Sequence, residues 1–257
     1  NMESSFIFKE FFERTIDSKK FEYRSSESFI DNSKRENYIF NSKINGIEET
    51  DLIFLIGTNP RFEATMLNAR IRKAYLNKNP KIISSNDVGD LTYPYQNLDG
   101  KMQTIKDIFE NKNEISKKIQ NADKPMIILG ESFLNSKSAS YLFKLIKDFL
   151  FKNNKFTPDW SPFNILLSDA STVGNLDLDI LDKTNEVLKN LNQNKFEIIY
   201  LLGKDDLFFK KKDEFVIYQG SHGDRGAEIA DIILPGAAYT EQSGHFTNLE
   251  GKIQKAY

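Results

Sequence analysis

Short unbroken apolar runs punctuate a chain that is otherwise strongly polar. Leu52–Ile56, Lys81–Ser84, Lys124–Leu129, Glu197–Leu202, Glu214–Tyr218 and Ala230–Leu234 each read as a strand. Their apolar residues run on rather than alternate, as burial on both faces of a parallel sheet requires. Between them lie longer segments with apolar residues at three- and four-residue spacing, the period of a helix with one buried face. Phe62–Leu76 is one. Lys101–Gln120 is the clearest, with Ile105, Ile108, Phe109, Ile115 and Ile119 on one stripe. Ser138–Phe151 and Asp182–Leu191 follow the same rule, and Ser4–Ile16 presents Phe8, Phe11, Phe12 and Thr15 on one side before a polar stretch from Asp17 to Ile47.

Strand-length runs alternating with helices define βαβ units, hence a mostly parallel sheet. The predicted fold is α/β: Rossmann-like, doubly wound parallel sheets in two lobes. The best boundary is the Asn153–Ser161 stretch around Pro158. It separates an N-terminal helix plus first lobe (residues 1–153) from a second lobe with the C-terminal segment (residues 154–257).

Composition removes whole classes of function. Among 257 residues, 35 Lys and Arg face 37 Asp and Glu, for a net charge of −2, without the unpaired cationic surplus of a general nucleic-acid binder. There is no cysteine, and His222 and His245 are the two histidines. A disulfide framework, a thiolate zinc site, a cysteine nucleophile, a Cys-ligated iron–sulfur cluster held by this chain and a His-rich metal site are therefore all excluded. No apolar run approaches the about 18 residues of a membrane span. No signal-peptide core is visible, and Asn1 ahead of Met2 suggests further residues upstream.

Known catalytic motifs are absent. There is no G-x-G-x-x-G dinucleotide fingerprint, no G-x-x-x-x-G-K-[ST] phosphate loop, no H-E-x-x-H and no G-x-S-x-G. Four apolar runs end in glycine, at Gly57, Gly130, Gly203 and Gly220. Ligands of open α/β sheets bind beyond the carboxyl ends of strands, so these turns would surround a site, although glycine also serves there simply to permit a tight turn. Gly220–Gly226 has the spacing of a loop that lets backbone approach a ligand, or of an ordinary polar loop. Ser221, His222 and Asp224 are too close in sequence for a triad, whose members converge from separate segments. The Lys210–Lys212 run reads as a solvated face.

Long motifs carry a resemblance. Ser42–Lys73, with GTNPRFEA, Asp87–Tyr95, with DLTYPY, and Ile217–Gln254, with ADIILPGAAYTEQSG and NLEG, together resemble the 75 kDa iron–sulfur subunit family of respiratory complex I. The likeness runs from about Asn37 to the C-terminus, loosely over Lys137–Lys195, and departs at Lys252, where arginine is usual. That subunit's C-terminal half is similar to the molybdopterin oxidoreductases, in which the turn matching Gly57-Thr58-Asn59-Pro60 contacts the pterin. The resemblance implies a retained scaffold without molybdenum: no catalytic residue, no metal ligand and no cofactor in this chain. It implies a relic cleft whose candidates are Gly57, Asn59, Gly220, Gly223 and Asn248. Asn59 has an alternative role as the cap of the following helix.

The iron–sulfur clusters are expected in a partner N-terminal part, and other peripheral-arm subunits of complex I as further partners, with no nucleic acid and no direct membrane span. The expected place is the matrix side of the mitochondrial inner membrane, or the cytoplasmic side in a bacterium, within a complex that moves electrons from NADH to ubiquinone and pumps protons. Two alternatives stay open: a molybdopterin-dependent oxidoreductase domain, and a free-standing nucleotide-binding α/β module.

Overall fold

The structure, a computed structural model, describes all 257 residues. The chain opens with helix α1 (Met2–Phe11), capped by the Asn1 side chain, which accepts from the Ser4 N–H. A five-residue π-turn, Phe12–Ile16, follows and stops at Asp17 in the left-handed region. Two compact units then emerge. One comprises Ser28–Val173 with Asn248–Lys252, and the other comprises Asn1–Glu27, Gly174–Thr247 and Ile253–Tyr257.

The larger unit holds β1 (Leu52–Ile56), α2 (Pro60–Glu63), α3 (Thr65–Lys78), β2 (Lys81–Ser84), the two-residue β3 (Gln96–Asn97), α4 (Met102–Phe109), α5 (Glu114–Asn121), β4 (Pro125–Leu129), α6 (Glu131–Leu134), α7 (Ala139–Lys152) and β5 (Phe163–Ile165). Its five strands are all parallel, in the order β3-β2-β1-β4-β5. Every residue of β1 and β4 is buried, because helices cover both faces. On one face Ile53, Leu55, Met126 and Ile128 pack with Leu67, Ile71 and Ala74 of α3. On the other, Phe54 stacks on Phe109 of α4 at 6.2 Å, and Phe109 meets Phe149 of α7 edge-on at 5.3 Å. The sheet is doubly wound.

The smaller unit adds α8 (Thr172–Asp177, which begins in the larger unit), α9 (Glu186–Asn192), β6 (Ile198–Leu202), β7 (Phe215–Gly220), α10 (Arg225–Glu228), β8 (Ile232–Pro235), β9 (Gly244–Thr247) and β10 (Ile253–Ala256). Strands β6, β7 and β8 make a parallel sheet, and β9 and β10 an antiparallel hairpin. Ile199, Leu201, Val216 and Tyr218 pack with Leu191 of α9. The opposite face receives α1, whose Phe8 and Phe12 rings lie 4.9 and 6.0 Å from that of Tyr200.

The division expected between residues 153 and 154 moves to 173/174, since β5 lies beyond it and pairs with β4 through Ile127–Phe163 and Leu129–Ile165. The first 27 residues also leave the first unit, because the partners of α1 are Tyr200 and the β9 strand. The expected helix over 101–120 is two helices, broken where Asn111 takes φ +63° and Asn113 caps α5 by accepting from the Ile115 N–H at 2.9 Å. No helix is long and apolar enough to cross a membrane.

Candidate functional site

In the larger unit the strand order reverses between β1 and β4, so the crevice at their carboxyl ends is where an open α/β sheet binds ligands. Gly57 and Gly130 stand there. Gly57 has φ +64°, and a Cβ on it would lie 2.4 Å from the Phe133 nitrogen; one on Gly130 would lie 2.4 Å from the Thr58 Cβ. The Gly130 N–H donates to the Ile56 carbonyl at 2.9 Å. Both glycines therefore allow α6 to seat on the β1 turn, with Phe133 fully buried above it. Beside both glycines the turn is packed against the chain's own backbone and side chains.

The polar groups of the turn are committed in the same way. The Gly57 N–H donates to Ser85 Oγ at 3.1 Å, the Thr58 hydroxyl to Glu63 Oε2 at 2.6 Å and the Asn59 N–H to Glu63 Oε1 at 2.9 Å. Asn59 Oδ1 accepts from the Arg61 N–H at 3.2 Å, the cap of α2 with Pro60 in its first turn. Asn59 Nδ2 donates to the Val88 carbonyl at 2.9 Å. The β2 loop is held from both sides. Arg61 Nη1 reaches Asp90 Oδ2 at 2.6 Å, and Asp87 accepts from the Gly89 N–H and the Tyr95 hydroxyl, each at 2.9 Å. The Thr92 N–H and then Arg61 lower the Asp90 carboxyl below its ordinary value; the Gly89 N–H and then Tyr95 do the same for Asp87.

Asn248 sits in the turn between β9 and β10. Its Oδ1 accepts from the N–H groups of Glu250 and Lys252 at 3.1 and 2.8 Å, and Gly251 closes the turn at φ +76°. Arg35 donates to the Gly251 carbonyl at 2.6 Å, the Phe40 N–H to that of Leu249 at 2.9 Å, and the Ile44 N–H to Glu250 Oε1. The NLEG motif is thus a clasp on the Arg35–Ile44 segment, a local structural role.

Gly220 and Gly223 belong to the smaller unit. The Gly220–Gly226 loop wraps a tyrosine: a Cβ on Gly220 would lie 2.0 Å from the Tyr218 oxygen and one on Gly226 2.7 Å from its ring. The Tyr218 hydroxyl lies 2.7 Å from Asp205 Oδ2 and 2.8 Å from the His222 carbonyl, and burial, then the Asp205 carboxylate, pushes it up to about 12. Gly223 faces open space. Ser221 Oγ lies 2.9 Å from Nδ1 of an exposed His222, and no carboxylate orients that ring. Glu63, Phe133, Val88, Asp205 and Arg35, which lock these motifs, escape sequence reading. Glu63 alone carried a signal: an acid placed to reach back to a cap residue.

The fold and these turns fall within one class. The chain belongs to the molybdopterin oxidoreductase family, whose model spans residues 1–257. Its relatives narrow this further. It is 43% identical over 224 residues to the NADH-ubiquinone oxidoreductase 75 kDa subunit of Reclinomonas americana, and 43% identical over 223 residues to the mitochondrial 78 kDa subunit of Candida albicans. It is 36% identical over 222 residues to the mitochondrial NADH dehydrogenase (ubiquinone) iron-sulfur protein 1 of Solanum tuberosum. Each alignment takes in 86% of this chain but 32, 30 and 29% of the respective relative, so the chain spans about a third of their length. A chain of the formyltransferase/hydrolase complex of Methylorubrum extorquens matches with a TM-score of 0.57 over 85% of this chain and 72% of its own, at 10% identity, a likeness of fold alone.

The family name implies a molybdopterin group, whose pyrophosphates need free donors and whose metal needs a ligand. The β1 turn does not fit one: α6 packs on it, and Asn59 spends both side-chain atoms within the chain.

Proposed function

We propose that this chain is a cluster-free scaffold segment of a 75 kDa-type subunit in the peripheral arm of complex I. Its partners are the cluster-bearing part of the same subunit and neighbouring arm subunits. Its place is the matrix side of the mitochondrial inner membrane, or the cytoplasmic side in a bacterium. There it orients the part that carries electrons from NADH towards ubiquinone while protons are pumped. The similarity to the 75 and 78 kDa subunits supports the assembly. The observation that supports the scaffold role is the close packing of α6 on the β1 turn, where Gly57 and Gly130 leave no room for a Cβ. The absence of cysteine leaves cluster ligation to a partner.

The test is native electrophoresis of solubilised membranes, with mass spectrometry of the bands and elemental analysis of the purified chain. The chain is expected in one large band with a cluster-bearing polypeptide, NADH oxidation and quinone reduction falling together with band intensity on depletion. A soluble homo-oligomer without such a partner, or about one molybdenum or tungsten per chain, overturns the reading, the second in favour of a molybdopterin enzyme.

A further inference from the structure

Helix α3 buries one face in the core and leaves a narrow row of mostly apolar residues on its outer side. Leu67, Asn68, Ile71 and Ala74 are buried. On the opposite side Met66, Ala69, Lys73 and Leu76 recur at three- and four-residue spacing, one above another. Met66 and Leu76 are 78 and 69% exposed, and Phe62 of α2, just before the break at Ala64, is 80% exposed. The charge along this helix is one-sided. Thr65–Lys78 contains Arg70, Arg72, Lys73 and Lys78 and no acidic residue. Glu48 accepts from Arg70 at 2.5 Å and from Lys73 at 2.8 Å; Arg72 and Lys78 feel Asp90 and Glu49 at longer range, but those carboxylates bond Arg61 and Lys124, so cations remain in surplus.

We propose that the outer face of α3 docks an α-helix of a partner polypeptide, apolar along its centre and bearing Asp or Glu along its edge. The repeat of Met66, Ala69, Lys73 and Leu76 matches the seam of two packed helices, with Ala69 leaving room for a knob between the larger side chains. The surplus of cations calls for an acidic rim. A second copy of this chain is disfavoured, because it would set the same cationic stripe against itself. A lipid surface is disfavoured too. Interfacial helices present a broad apolar face with a strongly charged one, and here the stripe is a single residue wide and Glu48 already neutralises part of the charge. The inference rests on the α3 surface and not on which assembly the chain serves.

The experiment places a photo-crosslinking benzoylphenylalanine at Met66 of the full chain, expressed in cells that make its natural partners, with Lys144 of α7 as the exposed control. Peptide sequencing should find one polypeptide, crosslinked within a segment of helical apolar period flanked by Asp or Glu. Replacing Arg72→Glu with Lys78→Glu should cut the yield about twofold to thirtyfold, the span of two exposed ion pairs, while Arg72→Lys retains it and circular dichroism is unchanged. Yield no higher than at Lys144, crosslinks to another copy of this chain, or an unaltered yield in the charge-reversed variant overturns the proposal. So does co-sedimentation with phosphatidylserine vesicles that Met66→Asp abolishes.

Discussion

Replacing Gly57 by alanine probes how closely α6 packs on the β1 turn. Two costs follow from its surroundings. The φ of +64° imposes the left-handed penalty on any residue with a Cβ, about 1–2 kcal/mol. The new methyl would also lie 2.4 Å from the Phe133 nitrogen and 2.7 Å from its Cβ, and displacing packed backbone costs a further about 1–3 kcal/mol. Gly89 supplies the control within the same unit, with φ +74° and nothing within 4 Å of its Cβ direction. Gly89→Ala should carry the conformational cost alone. With about 2–4 °C lost per kcal/mol in a chain of this size, Gly57→Ala should melt about 2–12 °C below Gly89→Ala by circular dichroism, with guanidinium midpoints in the same order. Trimming Phe133 should not rescue the variant, because the nearest obstacle is main chain. If the two alanine variants melt together, α6 does not press on the turn and the scaffold role loses its physical support.

Other outcomes follow from single contacts. Asn59→Ala should cost about 1–2 kcal/mol in chemical denaturation, through the lost cap and the orphaned Val88 carbonyl, with turnover per assembled complex unchanged. Asn164→Val should cost about 1–3 kcal/mol in the same assay, since Ser42 loses the partner of its N–H inside the core. Glu3 is held at about 2, below its ordinary 4.5, by the His245 N–H and then the His245 ring. A lowered carboxyl stabilises fully above pH 4.5 and loses that contribution as pH falls towards 2. Carbon-13 titration should therefore place the Glu3 midpoint near 2, with α1 amides losing protection across that window, and a midpoint near 4.5 would show that α1 is not tied to β9.

Much of the fold was readable because apolar runs mark strands: in β1 and β4 they reflect burial on both faces, whereas β6 and β7 are buried at alternate residues and β8 is exposed throughout. The strands β1, β2, β4, β6, β7 and β8 all fall on the expected apolar runs, with ends shifted by a residue or two. β5 went unread because Asn164 interrupts it. That residue is wholly buried, and its amide bonds Ser42 and the Ile127 carbonyl, so a polar letter sits where the pattern demands an apolar one. The split of the 101–120 helix was written in Asn111 and Asn113, but the apolar stripe continues across the break and conceals it. The hairpin β9–β10 is largely exposed and carries little apolar signal. At the candidate site the glycines were visible and their reason was not. What fills the space beside Gly57 is Phe133, and beside Gly220 it is Tyr218, and such pairings depend on a third dimension that spacing does not encode.

Helix α1 is separated by most of the chain from the strands it docks on. The Glu3 carboxylate bonds the N–H of a residue 242 positions later, and Phe8 meets Tyr200. During synthesis the strands of the larger unit leave the ribosome well before β6 or β9 exists, so its sheet can close early, apart from the Asn248–Lys252 clasp. By then α1 is already made. A ten-residue helix alone in water is marginal, and closing a loop of that span brings a slow, entropically opposed step. Order of synthesis and order of docking are therefore reversed for α1: made before the strands of the larger unit, it docks only after β6 and β9 have followed them.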